Sequence, residues 1–209
     1  MMQKYVLPLG ILAFCTLASA DILLDQIGSL KGEGVGEGAP ASQYFEPKYS
    51  DYDIAVLDNF IVDAPINIHT VEVVIDGWAN QWTDPSAMSA LAINIYSTPQ
   101  AAGVDLIGDV TTAYVDIADV QISKNWFGAG YLLTVPVSLD VETGSLWISI
   151  IPENNYADNG QTGIKVSLLG DGILAWHSNP NGGFNLPGNF EQLSSEVAFR
   201  LLSLSAPEP

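Results

Sequence analysis

The chain has 209 residues, nearly half of them hydrophobic, with 24 acidic side chains against six basic ones and a formal net charge of −18. So acidic a surface repels phosphate backbones, which excludes nucleic acid as a partner class and disfavours anionic membranes; calcium ions, neutral glycans and basic partners stay compatible with it. The length suits one sizeable domain, and the low charged fraction goes with a packed globule rather than a disordered chain.

Residues 1–20 read as a signal peptide. A weakly positive start ending at Lys4 precedes an apolar run over residues 5–17, and Ala18-Ser19-Ala20 matches the small-x-small pattern of a cleavage site. The run is short of the roughly 20 residues that span a bilayer. Cleavage after Ala20 would leave Asp21 as the first mature residue, in a secreted or cell-surface protein. Cys15 lies inside this segment, so the mature chain has no cysteine. A disulfide framework, a disulfide-linked partner, a thiolate nucleophile and a cysteine-ligated metal are all excluded. Only Lys31, Lys48, Lys124, Lys165 and Arg200 then oppose the 24 acids.

The mature chain opens with DILLDQI, a short strand, followed by residues 28–40 (GSLKGEGVGEGAP), which read as a flexible surface loop. Residues 41–52 carry Tyr44, Phe45, Tyr49 and Tyr52, aromatic surface able to pack onto the domain. From Ile54 onward the signal is alternation, the mark of strands with one buried face. Val71, Val73 and Ile75 share a face; so do Leu91, Ile93 and Ile95, and the pattern returns at 131–137, 146–150, 164–168 and 197–201. Glycine, proline and asparagine clusters separate these runs, and no apolar stripe of helical length occurs. A single helical turn near residues 85–91 is the exception. Pro136, inside a strand pattern, points to an edge strand or a bulge. The expected fold is all-β: one sandwich over residues 21–204, jelly-roll-like, with about nine to eleven short antiparallel strands. Residues 205–209 (SAPEP) form a short polar tail.

Residues 171–190 (DGILAWHSNPNGGFNLPGNF) are the best candidate site. Trp176, His177, Asn179, Asn181 and Phe184 combine aromatic faces, which stack on sugar rings, with amides and an imidazole that hold hydroxyls. The same W-x-x-N-P-x-G-G-F pattern also reads as a corner closing the sandwich, with its glycines permitting a tight reversal. Trp78 and Trp82 flank a second polar turn of similar composition. Catalytic patterns are absent: His69 and His177 are the only histidines, no G-x-S-x-G elbow occurs, and no H-x-x-x-H spacing suits zinc. Calcium prefers hard oxygens; Asp51, Asp53 and Asp58 are the candidate ligands, and Asp116 and Asp119 form another close pair. The NNYADNG segment lacks the acids of a calcium loop and reads as an ordinary turn. A glycosidase needs two carboxylates at a set separation, and 24 acids single out no pair.

Several of these pieces recur together in a known family. Leu23-Leu24-Asp25-Gln26, Asp58-Asn59-Phe60, Trp176 with Asn179 to Phe184, Val197-Ala198-Phe199-Arg200-Leu201 and the terminal Pro207-Glu208-Pro209 follow one another in order. In this the chain resembles secreted β-sandwich proteins of environmental Gram-negative bacteria, planctomycetes among them, that carry a PEP-CTERM sorting tail. The family's tail continues past Pro-Glu-Pro into a hydrophobic helix and a basic cluster, which this sequence does not include. The resemblance implies export tied to exopolysaccharide or surface matrix, and it carries over no catalytic residues. The expected function is a secreted, non-catalytic module of the extracellular matrix or cell surface with glycan as its candidate partner. The alternatives are a polysaccharide-active enzyme on the same scaffold and a calcium-dependent adhesion module.

Overall fold

A computed structural model of the chain describes residues 20–29, 33–79, 82–123 and 130–204. The expected signal peptide up to Ser19 and the tail 205–209 lie outside the described residues. Among the described residues fourteen strands are formed: β1 (Ala20–Asp25), β2 (Ala55–Val62), β3 (Ile66–Trp78), β4 (Ala90–Tyr96), β5 (Thr111–Asp116), β6 (Gln121–Ser123), β7 (Tyr131–Val141), β8 (Gly144–Glu153), β9 (Gln161–Ile164), β10 (Val166–Ser167), β11 (Trp176–Ser178), β12 (Phe190–Gln192), β13 (Glu196–Val197) and β14 (Phe199–Leu204). Five of them (β6, β10, β11, β12 and β13) have only two or three residues, too short for an alternation pattern to reveal, and nine are longer.

The strands build two sheets. One runs β1-β14-β3-β7-β6 with β9 extending beside β3; the other runs β12-β11-β2-β8-β4-β5; β10 and β13 form a small ribbon. Every ladder is antiparallel. The connections β2–β3, β3–β4, β7–β8 and β8–β9 each pass from one sheet to the other, so the fold is the expected jelly-roll-like sandwich. Phe60, Val71, Val73, Ile75, Leu91, Ile93, Ile95, Leu133, Ile148, Ile150, Phe199 and Leu201 meet between the sheets as one apolar core. These faces include those that alternation marked at 71–75, 91–95, 131–137, 146–150 and 197–201; at 164–168 only Ile164 joins the core, and Leu168 is exposed. Burying them supplies most of the driving force for folding. Among the described residues, no helix is long and apolar enough to cross a membrane.

Local expectations are met where chemistry is local. The turn near residue 85 is a 3-10 turn, Pro85–Ala87, capped by Asp84 through the Ser86 amide. Pro136 sits opposite Thr70 beside a register shift between Ile68 and Thr70, the bulge that a strand proline needs. Two expectations change. Residues 34–40 are not a free loop: Gly36 N donates to Val166 O, Val166 N to Gly38 O, Leu168 N to Gly34 O and Ile164 N to Pro40 O. A Cβ on Gly36 would lie 2.8 Å from Val166 Cγ2, so glycine lets this segment lie against β10. The outer face of the second sheet is also buried, at Asn94, Tyr96 and Ser149. There residues 97–110 fold across it, Tyr96 Oη donating to Leu106 O at 2.7 Å and Ser178 Oγ to Ala102 O at 2.6 Å.

On the first sheet, Arg200 joins three strands. It reaches Glu72 on β3 at 2.5 Å and Asp25 on β1 at 3.1 Å, from its own place on β14. Inside, β2 carries a fully buried carboxylate, Asp58, on the same side as Val56 and Phe60. Its oxygens accept from Asn59 N at 2.9 Å and Val197 N at 2.8 Å. Burial pushes its pKa up to about 8; the two amides pull it down, and the charges of Glu196 and Asp171 push further upward. The folded protein therefore holds a proton that the unfolded chain, near 3.9, releases. Stability from this group is full below about pH 4 and is lost as pH rises towards 8. Asp58→Asn should be less stable than the native protein near pH 4, because its amide group confronts a backbone N–H. Its melting temperature should fall less between about pH 4 and 8, which a pH series of thermal melts measures directly.

Candidate functional site

β11 places the predicted loop against the second sheet, with Trp176 opposite Leu57 on one side and Gln192 on the other. The Trp176 ring stacks on Phe190 at 4.6 Å and 9°, against the apolar cluster of the outer face. His177 Nε2 donates to Ala41 O at 3.0 Å, and Nδ1 stands 3.8 Å from Glu191. Burial lowers the His177 pKa, the Ala41 bond and Glu191 opposing it in part, so the ring is a neutral brace near pH 7. Trp176 and His177 therefore fasten the loop to the sandwich.

Asn179 is the centre of the loop. It is fully buried; Nδ2 donates to Asp51 O at 2.9 Å and Asp53 O at 2.8 Å, and Oδ1 accepts from Phe184 N at 2.8 Å. Asn181 Nδ2 adds a bond to Ser50 O, and Gly183 N one to Asp51 O. A Cβ on Gly183 would lie 2.5 Å from that carbonyl, which explains glycine there. The loop thus clamps the 3-10 segment Pro47–Tyr52 to the domain. Of the five predicted ligand-binding residues, Trp176, His177, Asn179 and Asn181 make the stacking and hydrogen bonds just described, and Phe184 lines a cavity.

That cavity, about 280 Å³ and open to solvent, is lined by Phe45, Tyr49, Tyr52, Tyr156, Gln161 and Phe184. Phe184 meets Tyr52 edge-on at 5.2 Å, Phe45 lies 6.1 Å from Phe184 and 5.9 Å from Tyr156, and Tyr49 meets Tyr156 edge-on at 5.9 Å. Tyr52 keeps 41% of its surface exposed. Tyr156 arrives on the one-turn helix Tyr156–Asn159, whose first amides are capped by Asn155 and by the Glu46 carboxylate. NNYADNG is therefore the turn it was read as, and it supplies one wall.

Phe45 also borders a second cleft, of about 410 Å³, whose wall includes Glu46, Asp53, Tyr114, Glu153 and Asn154. Asp53 Oδ1 accepts from Phe45 N at 2.7 Å. Burial pushes its pKa to about 6, against the pull of that amide and with help from the charge of Asp51. Asp51 serves the fold through its backbone carbonyl, and Asp58 lies in the core. Among the described residues no three His, Cys, Asp or Glu form a group that could hold a metal ion, so Asp51, Asp53 and Asp58 are not gathered into one site. At the second aromatic turn Trp82 is packed, lying over Gly77, where a Cβ would come within 2.1 Å of its ring, and meeting Tyr131 edge-on, while Trp78 stays exposed.

Of the pocket's other aromatics, Phe45, Tyr49 and Tyr52 were legible only as packing surface, and Tyr156 only as part of a turn. The grouping of the first three with Phe184 depends on bonds between segments 126 to 131 residues apart, which no local pattern announces. Comparison with known protein families, curated sequences and solved structures finds no match, so the reading of the site rests on its own geometry.

Asn179→Ala removes three buried hydrogen bonds and should cost about 2–3 kcal/mol of stability. Urea denaturation gives that loss, and the near-ultraviolet dichroism of the tyrosine cluster should weaken with it.

Proposed function

We propose that this protein is an exported, non-catalytic β-sandwich module of the extracellular matrix or cell surface that binds glycan in the aromatic pocket. The observation that carries this reading is the convergence of five aromatic rings, from three separate chain segments, on an open cavity whose remaining lining residue is the amide Gln161. Rings facing solvent with a polar group beside them suit a sugar, which offers a flat C–H face and a hydroxyl edge. A monomer that needed these rings only for stability would bury them. The signal-peptide pattern and the resemblance to PEP-CTERM proteins support export and a matrix setting.

Glycan-array and pull-down measurements test the reading. Tyr52→Ala and Phe184→Ala should each weaken binding of the best glycan at least about tenfold, equivalent to about 1.4 kcal/mol, while thermal melts stay cooperative. Retention of full affinity by both variants would place the ligand elsewhere.

One observation favours a second reading. Asp53, pushed to about 6, shares a cleft with Glu153, and a carboxyl of raised pKa beside a carboxylate is the equipment of a glycoside hydrolase. On that reading, new reducing ends appear when oligosaccharides are incubated with the protein, and Asp53→Asn abolishes them.

A further inference from the structure

The cleft beside the aromatic pocket is built for positive charge. Three carboxylates, Glu46, Asp53 and Glu153, line it, with no basic side chain among its described lining residues. Glu46 is partly occupied in capping, accepting from Tyr156 N at 2.8 Å and Ala157 N at 3.3 Å. Asp53 and Glu153 have no such duty towards that helix. Asn154 adds an independent demand. It lines the cleft yet is only 3% exposed; Nδ2 donates to Gly160 O at 2.9 Å, while Oδ1 is buried and accepts nothing. A buried carbonyl oxygen without a donor is costly, and here the missing partner must be a donor.

The chain itself shows which donor the neighbourhood holds. Lys48 Nζ stands 3.6 Å from Glu46 Oε1 and 4.7 Å from the centre of the Tyr49 ring. Glu46 belongs to the cleft and Tyr49 to the aromatic pocket, so one ammonium already touches both at their junction. A metal ion suits the cleft less well, since no three described acids gather closely enough to hold one. An ammonium carries three donors that can be shared among separated acceptors. Because Phe45 borders both cavities, a ligand lying across it would place one unit on the rings and an amine among the acids.

We propose that the pocket and cleft together bind a polysaccharide of free amino sugars, with a sugar ring on Tyr52 and Phe184 and a neighbouring ammonium between Asp53 and Glu153, beside Asn154. This rests on the glycan-binding reading of the pocket and names its ligand class. The net charge of −18 adds long-range attraction that salt should screen.

Isothermal titration calorimetry at about pH 6, where amines carry their charge, decides the matter. The probes are a glucosamine oligomer, its N-acetylated counterpart and a neutral glucan oligomer of equal length. The glucosamine oligomer should bind at least about tenfold more tightly than the other two, and less tightly as salt is added. Glu153→Gln, at an exposed position, and Asp53→Asn, which keeps an acceptor for Phe45 N, should each reduce that preference with the fold intact by circular dichroism. Lys48→Ala removes the competing ammonium and should tighten the glucosamine oligomer while leaving the glucan unchanged. Equal or tighter binding of the N-acetylated or neutral oligomer overturns the amine assignment and leaves glycan binding standing. Binding of no oligomer overturns both. Competition by lysine amide as effective as the glucosamine oligomer also overturns it, because the ammonium alone would then be recognised, as on a protein partner.

Discussion

The side chain of Asn179 is the constraint on which the candidate site depends. One buried amide satisfies two carbonyls of the 50–53 segment and one amide of its own loop, and it does so with all three bonds between 2.8 and 2.9 Å. No other short side chain offers two donors and an acceptor at that reach, because aspartate lacks the donors and serine lacks the second one. Without this bond set, Tyr49 and Tyr52 would ride on an exposed 3-10 turn that buries none of its own residues. The pocket walls come from different segments, and Asn179 with its neighbours Asn181 and Gly183 fixes two of them relative to one another.

The electrostatics follow from the same economy of cations. With so few basic residues, the fold cannot pair most of its carboxylates, and it satisfies the inner ones with backbone amides instead. Asp58 takes Asn59 N and Val197 N; Glu196 takes Gln26 and the amides of Asp171 and Gly172; Asp53 takes Phe45 N. Amide donors lower a carboxyl pKa, yet burial outweighs them at Asp58 and Asp53. Carboxylates left short of positive charge near the surface are what make the cleft beside the pocket attractive to an amine. In the core the same shortage is met by holding a proton.

Much of the scaffold was legible because its information is local. Val71, Val73 and Ile75 alternate with polar neighbours, and the face they share is buried between the sheets. Pro136 pointed to an edge strand or a bulge because its missing N–H cannot join a ladder, and the register shifts beside it, between Pro136 and Leu139. The glycine-rich stretch misled for a physical reason: glycine marks both freedom and close approach, and here Gly34 and Gly36 serve close approach to the 166–169 segment. The second buried face of the β2–β8–β4 sheet was hidden because Asn94, Tyr96 and Ser149 have the polarity of exposed positions. Hydrogen bonds among themselves, and to Leu106 O and Gly108 N of the covering segment, make their burial tolerable.

At the site, the division is sharper. Sequence alone determined the all-β character and the acidity, since each is a matter of composition or period. It marked Trp176, His177, Asn179, Asn181 and Phe184 as a unit, but it could not assign them roles, because an asparagine that binds a sugar and one that binds a carbonyl are spelled alike. Only the tertiary structure decided that Asn179 turns inward as a clamp while Phe184 turns to the cavity. The reason is register: β11 pairs with both β2 and β12, and that pairing sets which side of the loop faces the 50–53 segment. The loop that drew attention in the sequence is thus the support of the site, and one ring of it is the wall.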